Sequence, residues 1–305
     1  MLRRPRHTTT GPIRILVLVA IIALPAASGF VPTALASVPV SGSDPDSNPV
    51  DSERISVSER YSASGGHSVV AAAVPGYQIF YPADIEIGGD RHPVVTFGNG
   101  SYATYEQYEG LLRHLASWGF VVVVADSSVT GDGTEILAAA RYILAQNDNP
   151  DSVFHNRIDV DHIAAVGHSQ GAGGSINAGT ESGGLITSTA VLNLPDPWWF
   201  SRPVDVVDVT RLDGPVFYLT GADDPLSTAL PQAAFHAASQ GPAVRGRLLG
   251  AEHNWPSDGG GFRGYLTAWL RFTLVGDADA APAFTGSAPE LLADPAWDRT
   301  AVSGW

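Results

Sequence analysis

The sequence predicts an α/β fold, a mostly parallel twisted sheet with helices on both faces. Short runs of apolar, largely β-branched residues, such as residues 94–97 and 120–125, are typical of strands buried on both sides. Between and after them, residues 105–117 and 133–147 place apolar side chains every three or four positions, which is typical of amphipathic helices. Alternation of the two patterns along the chain predicts βαβ units and therefore a parallel sheet.

Length and composition fit one large globular domain with flanking segments. The chain has 305 residues, of which 44% are hydrophobic and 16% charged. The net charge of -14 argues against partners such as nucleic acid or anionic lipid, since both need a cationic surface. We expect a neutral small molecule or polymer instead. The absence of cysteine excludes disulfides and thiolate sites.

The N-terminus has the features of a secretory signal peptide at residues 1–36. Four arginines precede an apolar run at residues 15–24, and Ala34-Leu35-Ala36 fits the small-x-small cleavage pattern. The run is shorter than the roughly 20 residues that span a bilayer. We therefore expect cleavage near Ala36, secretion and no stable membrane association, with an uncleaved anchor as the alternative. Residues 37–52, rich in Ser, Pro and Asp, are expected to form a flexible linker.

The domain is predicted to occupy residues 53–275. Beyond the elements above, strands are predicted at 163–166, 189–194, 216–220 and 244–249, and helices at 228–239 and 261–274. The C-terminal tail, residues 276–305, contains apolar residues such as Phe284 and Trp297. We expect the tail to pack back on the domain.

A nucleophile motif follows the predicted strand at 163–166 directly. Gly167-His168-Ser169-Gln170-Gly171 matches G-x-S-x-G, and small residues come next. In a strand-turn-helix context this motif forms a tight turn that exposes a serine hydroxyl above the sheet. The alternative is an ordinary glycine-rich turn. The motif in this context indicates an α/β-hydrolase fold with Ser169 as the nucleophile.

A serine hydroxyl needs a general base, and the base needs an orienting acid. In this fold the acid and then the histidine follow later strands. The strand at 216–220 is followed by Asp223 and Asp224, and the strand at 244–249 is followed by His253. We predict the triad Ser169, Asp224 and His253, and Asp223 remains an alternative acid.

Two backbone amides are predicted to form the oxyanion hole. One is that of Gln170, the residue after the nucleophile, and the other comes from the loop after the early strand. That loop reads Gly98-Asn99-Gly100-Ser101-Tyr102, and its glycines allow close approach to a ligand. The Ser101 amide is our candidate.

These segments together resemble the bacterial cutinase-like polyester hydrolases and their dienelactone-hydrolase-like relatives. The similarity runs over roughly residues 77–274 and is strongest at 97–126 and at the nucleophile motif. It implies ester hydrolysis, a substrate-stacking role for Trp198 and a substrate-binding position for Tyr102. Ser101 and Gln170 stand where the family usually has Tyr and Met.

The sequence thus predicts a secreted serine hydrolase that cleaves carboxylic esters through an acyl-enzyme, acting on bulky or polymeric, cutin- or polyester-like substrates. Only 20 residues separate Leu194 from Pro215, too few for a helical cap, so we expect an open groove. We expect a monomer without cofactor or metal; a structural calcium is left open. The alternatives are a carbohydrate acetyl esterase, lipase or peptidase of this fold, a metal-dependent hydrolase, or an inactive binding protein on the same scaffold.

Overall fold

The computed structural model describes residues 55–200, 202–255 and 257–305. The expected signal peptide and linker lie outside these residues. The described part contains one nine-stranded sheet, with strand order β1-β2-β4-β3-β5-β6-β7-β8-β9. The strands are β1 (Val69–Val74), β2 (Tyr77–Pro82), β3 (His92–Gly98), β4 (Val121–Ala125), β5 (Ile158–His168), β6 (Ser188–Leu192), β7 (Val216–Gly221), β8 (Ala243–Leu248) and β9 (Trp297–Ser303).

The six central strands, β3 to β8, pair in parallel, whereas β1, β2 and β9 pair antiparallel with their neighbours. The mostly parallel sheet that the sequence predicts is confirmed. The helices are α1 (Val57–Ser62), α2 (Glu109–Ser117), α3 (Thr134–Asp148), α4 (Gln170–Glu181), α5 (Ala229–Ala238), α6 (Arg263–Leu270) and α7 (Glu290–Ala293), with a π-helical turn (Arg271–Val275) after α6.

Helices cover both faces of the sheet because β3, β4, β6, β7 and the second half of β5 are buried on both sides. In β3, Val95 and Phe97 pack in the same cluster as residues of α1, α2 and α6. Val94, on the opposite face, packs with α3. In β7, Val216 and Tyr218 pack with residues of α4 and, at the edge of the cluster, α5. The side-chain period of two along a strand thus sends alternate residues into separate cores.

The helix predicted at 105–117 is broken in the structure. A 3-10 turn (Tyr105–Gln107) is followed by α2, and Tyr108 lies at the junction with φ -119°. Tyr108 is only 5% exposed, and its hydroxyl accepts a hydrogen bond from the Gly100 backbone amide at 3.1 Å. The break turns this phenol into the core, where it supports the loop after β3.

The last 30 residues lie against the sheet and the first helix. The strand β9 pairs with β8, and Phe284 and Trp297 are buried. Glu290, the first residue of α7, accepts the backbone N–H groups of Val57 and Ser58 at 2.6 and 2.9 Å. It thereby satisfies amides that the start of α1 leaves without helical partners. Among the described helices, none is both long and apolar enough to cross a membrane.

Candidate active site

The nucleophile turn connects β5 to α4. Ser169 adopts φ 55° and ψ -121°, a conformation that is strained for a side chain with a Cβ. The glycines around it are required by close backbone contacts. A Cβ on Gly171 would lie 2.1 Å from the Gly98 carbonyl oxygen, and one on Gly167 would lie 2.1 Å from that of Gly171. The strand-turn-helix context that the motif needs is therefore present, and Ser169 is partly exposed at its apex.

His253 and Asp224 complete a hydrogen-bonded chain with the serine. The His253 Nε2 atom lies 2.9 Å from Ser169 Oγ, and its Nδ1 atom lies 2.8 Å from Asp224 Oδ2. The network is satisfied when Ser169 donates to Nε2 and Nδ1–H donates to the carboxylate. The Asp224 side chain is fully buried, and its other oxygen accepts the Leu226 amide at 2.7 Å. Asp223 is exposed, so the structure brings Asp224, and not Asp223, to the histidine.

The oxyanion candidates lie beside the serine. A Cβ on Gly100 would come within 3.4 Å of Ser169 Cβ, so the loop after β3 abuts the nucleophile. The Gly100 amide donates to Tyr108 and the Tyr102 amide to the Ser128 carbonyl at 3.3 Å. The Ser101 amide has no acceptor among the described residues.

The Gln170 backbone amide is the second candidate donor for the oxyanion. Gln170 is the first residue of α4, where the N–H groups of a helix have no helical acceptor. Its side-chain oxygen Oε1 accepts the Thr130 amide at 3.2 Å. Two backbone donors next to Ser169 are thus available for a developing oxyanion.

A buried neutral pair lies behind the triad. His168 is 4% exposed; its Nδ1 lies 2.9 Å from the Tyr108 hydroxyl and its Nε2 lies 2.8 Å from the His253 carbonyl oxygen. Burial and then the neighbouring His253 lower the pKa of His168 to about 3. Burial raises the pKa of Tyr108 to about 12. Both side chains are neutral near pH 7, so His168 donates through Nε2 and accepts at Nδ1.

Two aromatic residues predicted to bind substrate are exposed. Tyr102 is 92% exposed and Trp198 67% exposed. Tyr102 lies in the loop after β3 and Trp198 in a 3-10 turn (Pro197–Trp199) after β6. Because β3 and β6 are the two neighbours of β5, these rings come from loops on either side of the nucleophile strand.

Comparison with known proteins places the chain in a family. A family model described as PET hydrolase-like matches residues 44–212, more than half of the chain. The chain belongs to the PET hydrolase-like family. Together with the sheet topology, this match shows the α/β-hydrolase fold.

Among characterised relatives, Cutinase est2 of Thermobifida alba is 26% identical over 206 residues, 64% of this chain and 63% of that protein. Cutinase 2 of Thermobifida cellulosilytica is 27% identical over 206 residues, 64% of this chain and 72% of that protein. Bis(hydroxyethyl) terephthalate hydrolase of Streptomyces coelicolor is 33% identical over 119 residues, 36% of each chain. The matches with Cutinase est2 and Cutinase est1 of Thermobifida alba span 63% and 48% of those proteins, less than two thirds of either.

The PET hydrolase-like match contains Ser169 and the loop after β3 but ends before Asp224 and His253. The spatial relation of the acid and the base to the serine therefore comes from the structure. The described residues contain no group of three or more His, Cys, Asp or Glu side chains arranged to hold a metal ion. Sequence reasoning missed the roles of two buried residues. Tyr108 bonds to the Gly100 amide and the His168 ring, and Asn193 bonds to main-chain groups of Glu252, His253 and Gly221.

Proposed function

We propose that this protein is a secreted serine esterase that hydrolyses carboxylic esters through an acyl-enzyme. The observation that carries the proposal is the Ser169–His253–Asp224 chain, with spacings of 2.9 and 2.8 Å. A serine with its base and orienting acid in hydrogen-bond contact, next to two free backbone amides, is the arrangement that acyl transfer requires.

In the proposed reaction, Ser169 Oγ attacks the ester carbonyl carbon while its proton moves to His253 Nε2. The carbonyl oxygen becomes an oxyanion that accepts hydrogen bonds from the Ser101 and Gln170 amides. The C–O bond to the alcohol then breaks, and the Nε2 proton moves to the leaving oxygen. Water attacks the acyl-enzyme by the same route, releasing the acid and restoring the serine. The Asp224 carboxylate accepts the Nδ1–H hydrogen bond and holds the imidazole in place.

The proposed substrates are bulky, neutral esters with a planar acyl or alcohol group. Tyr102 and Trp198 expose flat apolar rings on both sides of the nucleophile strand, and such rings stack on planar groups. The described residues between β6 and β7 form three 3-10 turns and no α-helix that would enclose the site. The names of the relatives, cutinases and a bis(hydroxyethyl) terephthalate hydrolase, support esters of this kind.

The proposal includes export and action as a monomer on a neutral substrate. It rests on the N-terminal sequence pattern and on the net charge of -14, which disfavours anionic partners.

The test is hydrolysis of p-nitrophenyl butyrate by the purified protein beside Ser169→Ala. Activity that disappears in the variant supports the proposal. A folded wild-type protein without activity on this ester or on bis(hydroxyethyl) terephthalate would overturn it. A panel of triglyceride, acetylated xylan and peptide distinguishes the lipase, acetyl esterase and peptidase alternatives.

A further inference from the structure

We infer that Asn193 is a positioning residue that fixes the main chain of His253 relative to the loop carrying Asp224. The inference rests on the proposed function, because it assigns Asn193 a part in aligning the base of that triad. Asn193 comes one residue after the end of β6, the strand between those that carry the nucleophile and the acid.

The backbone of Asn193 is unusual and firmly held. Its φ is 51°, in the left-handed region, and the residue is 0% exposed. Its N–H donates to the Leu219 carbonyl of β7 at 2.8 Å. Asparagine tolerates this conformation better than most residues with a Cβ. This conformation directs the side chain toward the end of β7 and the loop after β8, where its hydrogen-bond partners lie.

The Asn193 side chain makes three hydrogen bonds to main-chain groups, two in the loop after β8 and one at the end of β7. Its Nδ2 donates to the carbonyls of Glu252 and His253 at 3.0 and 2.7 Å. Its Oδ1 accepts the Gly221 amide at 2.8 Å. The opposite amide orientation would place an oxygen against two carbonyls and an NH2 group against an N–H, so the partners permit only this orientation.

The His253 carbonyl is therefore held from two sides. Asn193 Nδ2 donates to it from β6, and His168 Nε2 donates to it from the end of β5 at 2.8 Å. Tyr108 donates to the other ring nitrogen of His168 and so fixes the tautomer in which Nε2 carries the proton. Both lone pairs of the His253 carbonyl oxygen are used, and both donors lie at the carboxyl ends of central strands, His168 at the end of β5 and Asn193 one residue after β6.

These two hydrogen bonds to the His253 carbonyl matter because the loop that carries His253 has no regular secondary structure. The described residues between β8 and the 3-10 turn Gly260–Phe262 form no helix or strand. The Gly221 amide, the third partner of Asn193, lies three residues before Asp224. The buried Asn193 carboxamide thus links the loop that carries His253 to the chain that leads to Asp224. A displacement of about 1 Å among reacting groups costs about 100-fold in rate.

The test variant is Asn193→Asp. Aspartate has the same shape, tolerates the left-handed backbone and keeps the acceptor for Gly221. It replaces an NH2 group that donates to two carbonyls with an oxygen that carries at most one proton, so at least one of the two hydrogen bonds is lost. The matched control is Asn177→Asp on α4. Asn177 is 8% exposed, and its Nδ2 likewise donates to a backbone carbonyl, that of Gly131, at 2.9 Å.

We expect kcat for p-nitrophenyl butyrate to fall roughly 10- to 100-fold in Asn193→Asp with KM changed less than about twofold. We also expect the downfield proton NMR resonance of the His253 Nδ1–H, bonded to Asp224, to shift or broaden. The control variant Asn177→Asp should keep the wild-type kcat and the wild-type position of this resonance. Should Asn193→Asp fail to fold, Asn193→Gly removes the side chain, suits φ 51° and introduces no charge, and the same results are expected.

Wild-type kcat and an unchanged resonance in a folded Asn193 variant would overturn the inference, as would an equal loss of kcat in Asn177→Asp. The resonance does not depend on turnover. If wild-type protein hydrolysed no ester, the proposed function would fail, and the resonance of the variants would still decide whether Asn193 positions His253.

Discussion

Replacing Asp224 by asparagine should nearly abolish turnover while leaving the fold intact. Asp224 uses both oxygens: Oδ2 faces His253 Nδ1 at 2.8 Å, and Oδ1 accepts the Leu226 amide at 2.7 Å. In Asp224→Asn the Leu226 N–H requires the carboxamide oxygen, so the NH2 group must face Nδ1. A donor at that position stabilises the tautomer with its proton on Nε2, which cannot accept the proton of Ser169.

We expect kcat/KM for p-nitrophenyl butyrate to fall about 10⁴-fold at pH 7, the scale by which this change lowers kcat in a serine protease triad. At about 1.4 kcal/mol per factor of ten, that is about 5.5 kcal/mol of transition-state stabilisation. Asp223→Asn is the matched control, since it removes the neighbouring but exposed carboxylate and should change kcat/KM by less than about threefold. A loss under tenfold in a folded Asp224→Asn, or a large loss in Asp223→Asn, would refute the assignment of the acid.

Two further changes test stability and substrate binding. Burial is the main cause that lowers the pKa of His114 from its ordinary 6.5 to about 4. Between these pH values the unfolded chain binds a proton at this residue that the folded chain does not. The free energy of unfolding therefore decreases by about 3 kcal/mol from this residue as the pH falls from 6.5 to 4. His114→Gln can still donate to the Tyr61 carbonyl, and it should reduce the change with pH of the free energy of urea unfolding between pH 6.5 and 4. A pH dependence of that free energy equal to the wild type would contradict this. Tyr102→Ala and Trp198→Ala should raise KM for bis(hydroxyethyl) terephthalate severalfold and leave p-nitrophenyl butyrate within about twofold, whereas equal effects on both esters would argue against stacking.

The predicted parts of β3, β4, β5, β6 and β7 could be recognised because they are buried on both faces and are therefore mostly apolar. The strands that the sequence did not predict are the three that pair antiparallel, β1, β2 and β9. β1 and β9 form the two edges of the sheet, and β2 lies next to β1. β1 and β9 expose or half-expose most of their residues, and β9 has Asp298, Arg299 and Thr300 within it. Such strands are specified by the neighbour they pair with, and a single sequence does not show that neighbour. The break before α2 was missed for a related reason, since Tyr108 fits an apolar helix position equally well.

The reacting side chains could be predicted because chemistry restricts their residue types and the fold restricts their order along the chain. The sequence favoured Asp224 but left Asp223 open, because the two carboxylates are adjacent along the chain. Only the structure distinguishes them, since it buries Asp224 against His253 and leaves Asp223 exposed. Asn193 could not be identified because its partners are backbone groups, which every residue has. Its only sequence signal is a polar residue directly after a buried strand, a position where turn asparagines are common.

The buried groups behind the triad also determine what the pH dependence of this site can report. His168 has a pKa of about 3 and Tyr108 one of about 12, so neither changes charge between roughly pH 4 and 11. Asn193 does not titrate at all. The hydrogen bonds that His168 and Asn193 donate to the His253 carbonyl are therefore not lost through titration of their donors between roughly pH 4 and 11. A change in kcat/KM within that range therefore does not arise from a change of charge on His168, Tyr108 or Asn193.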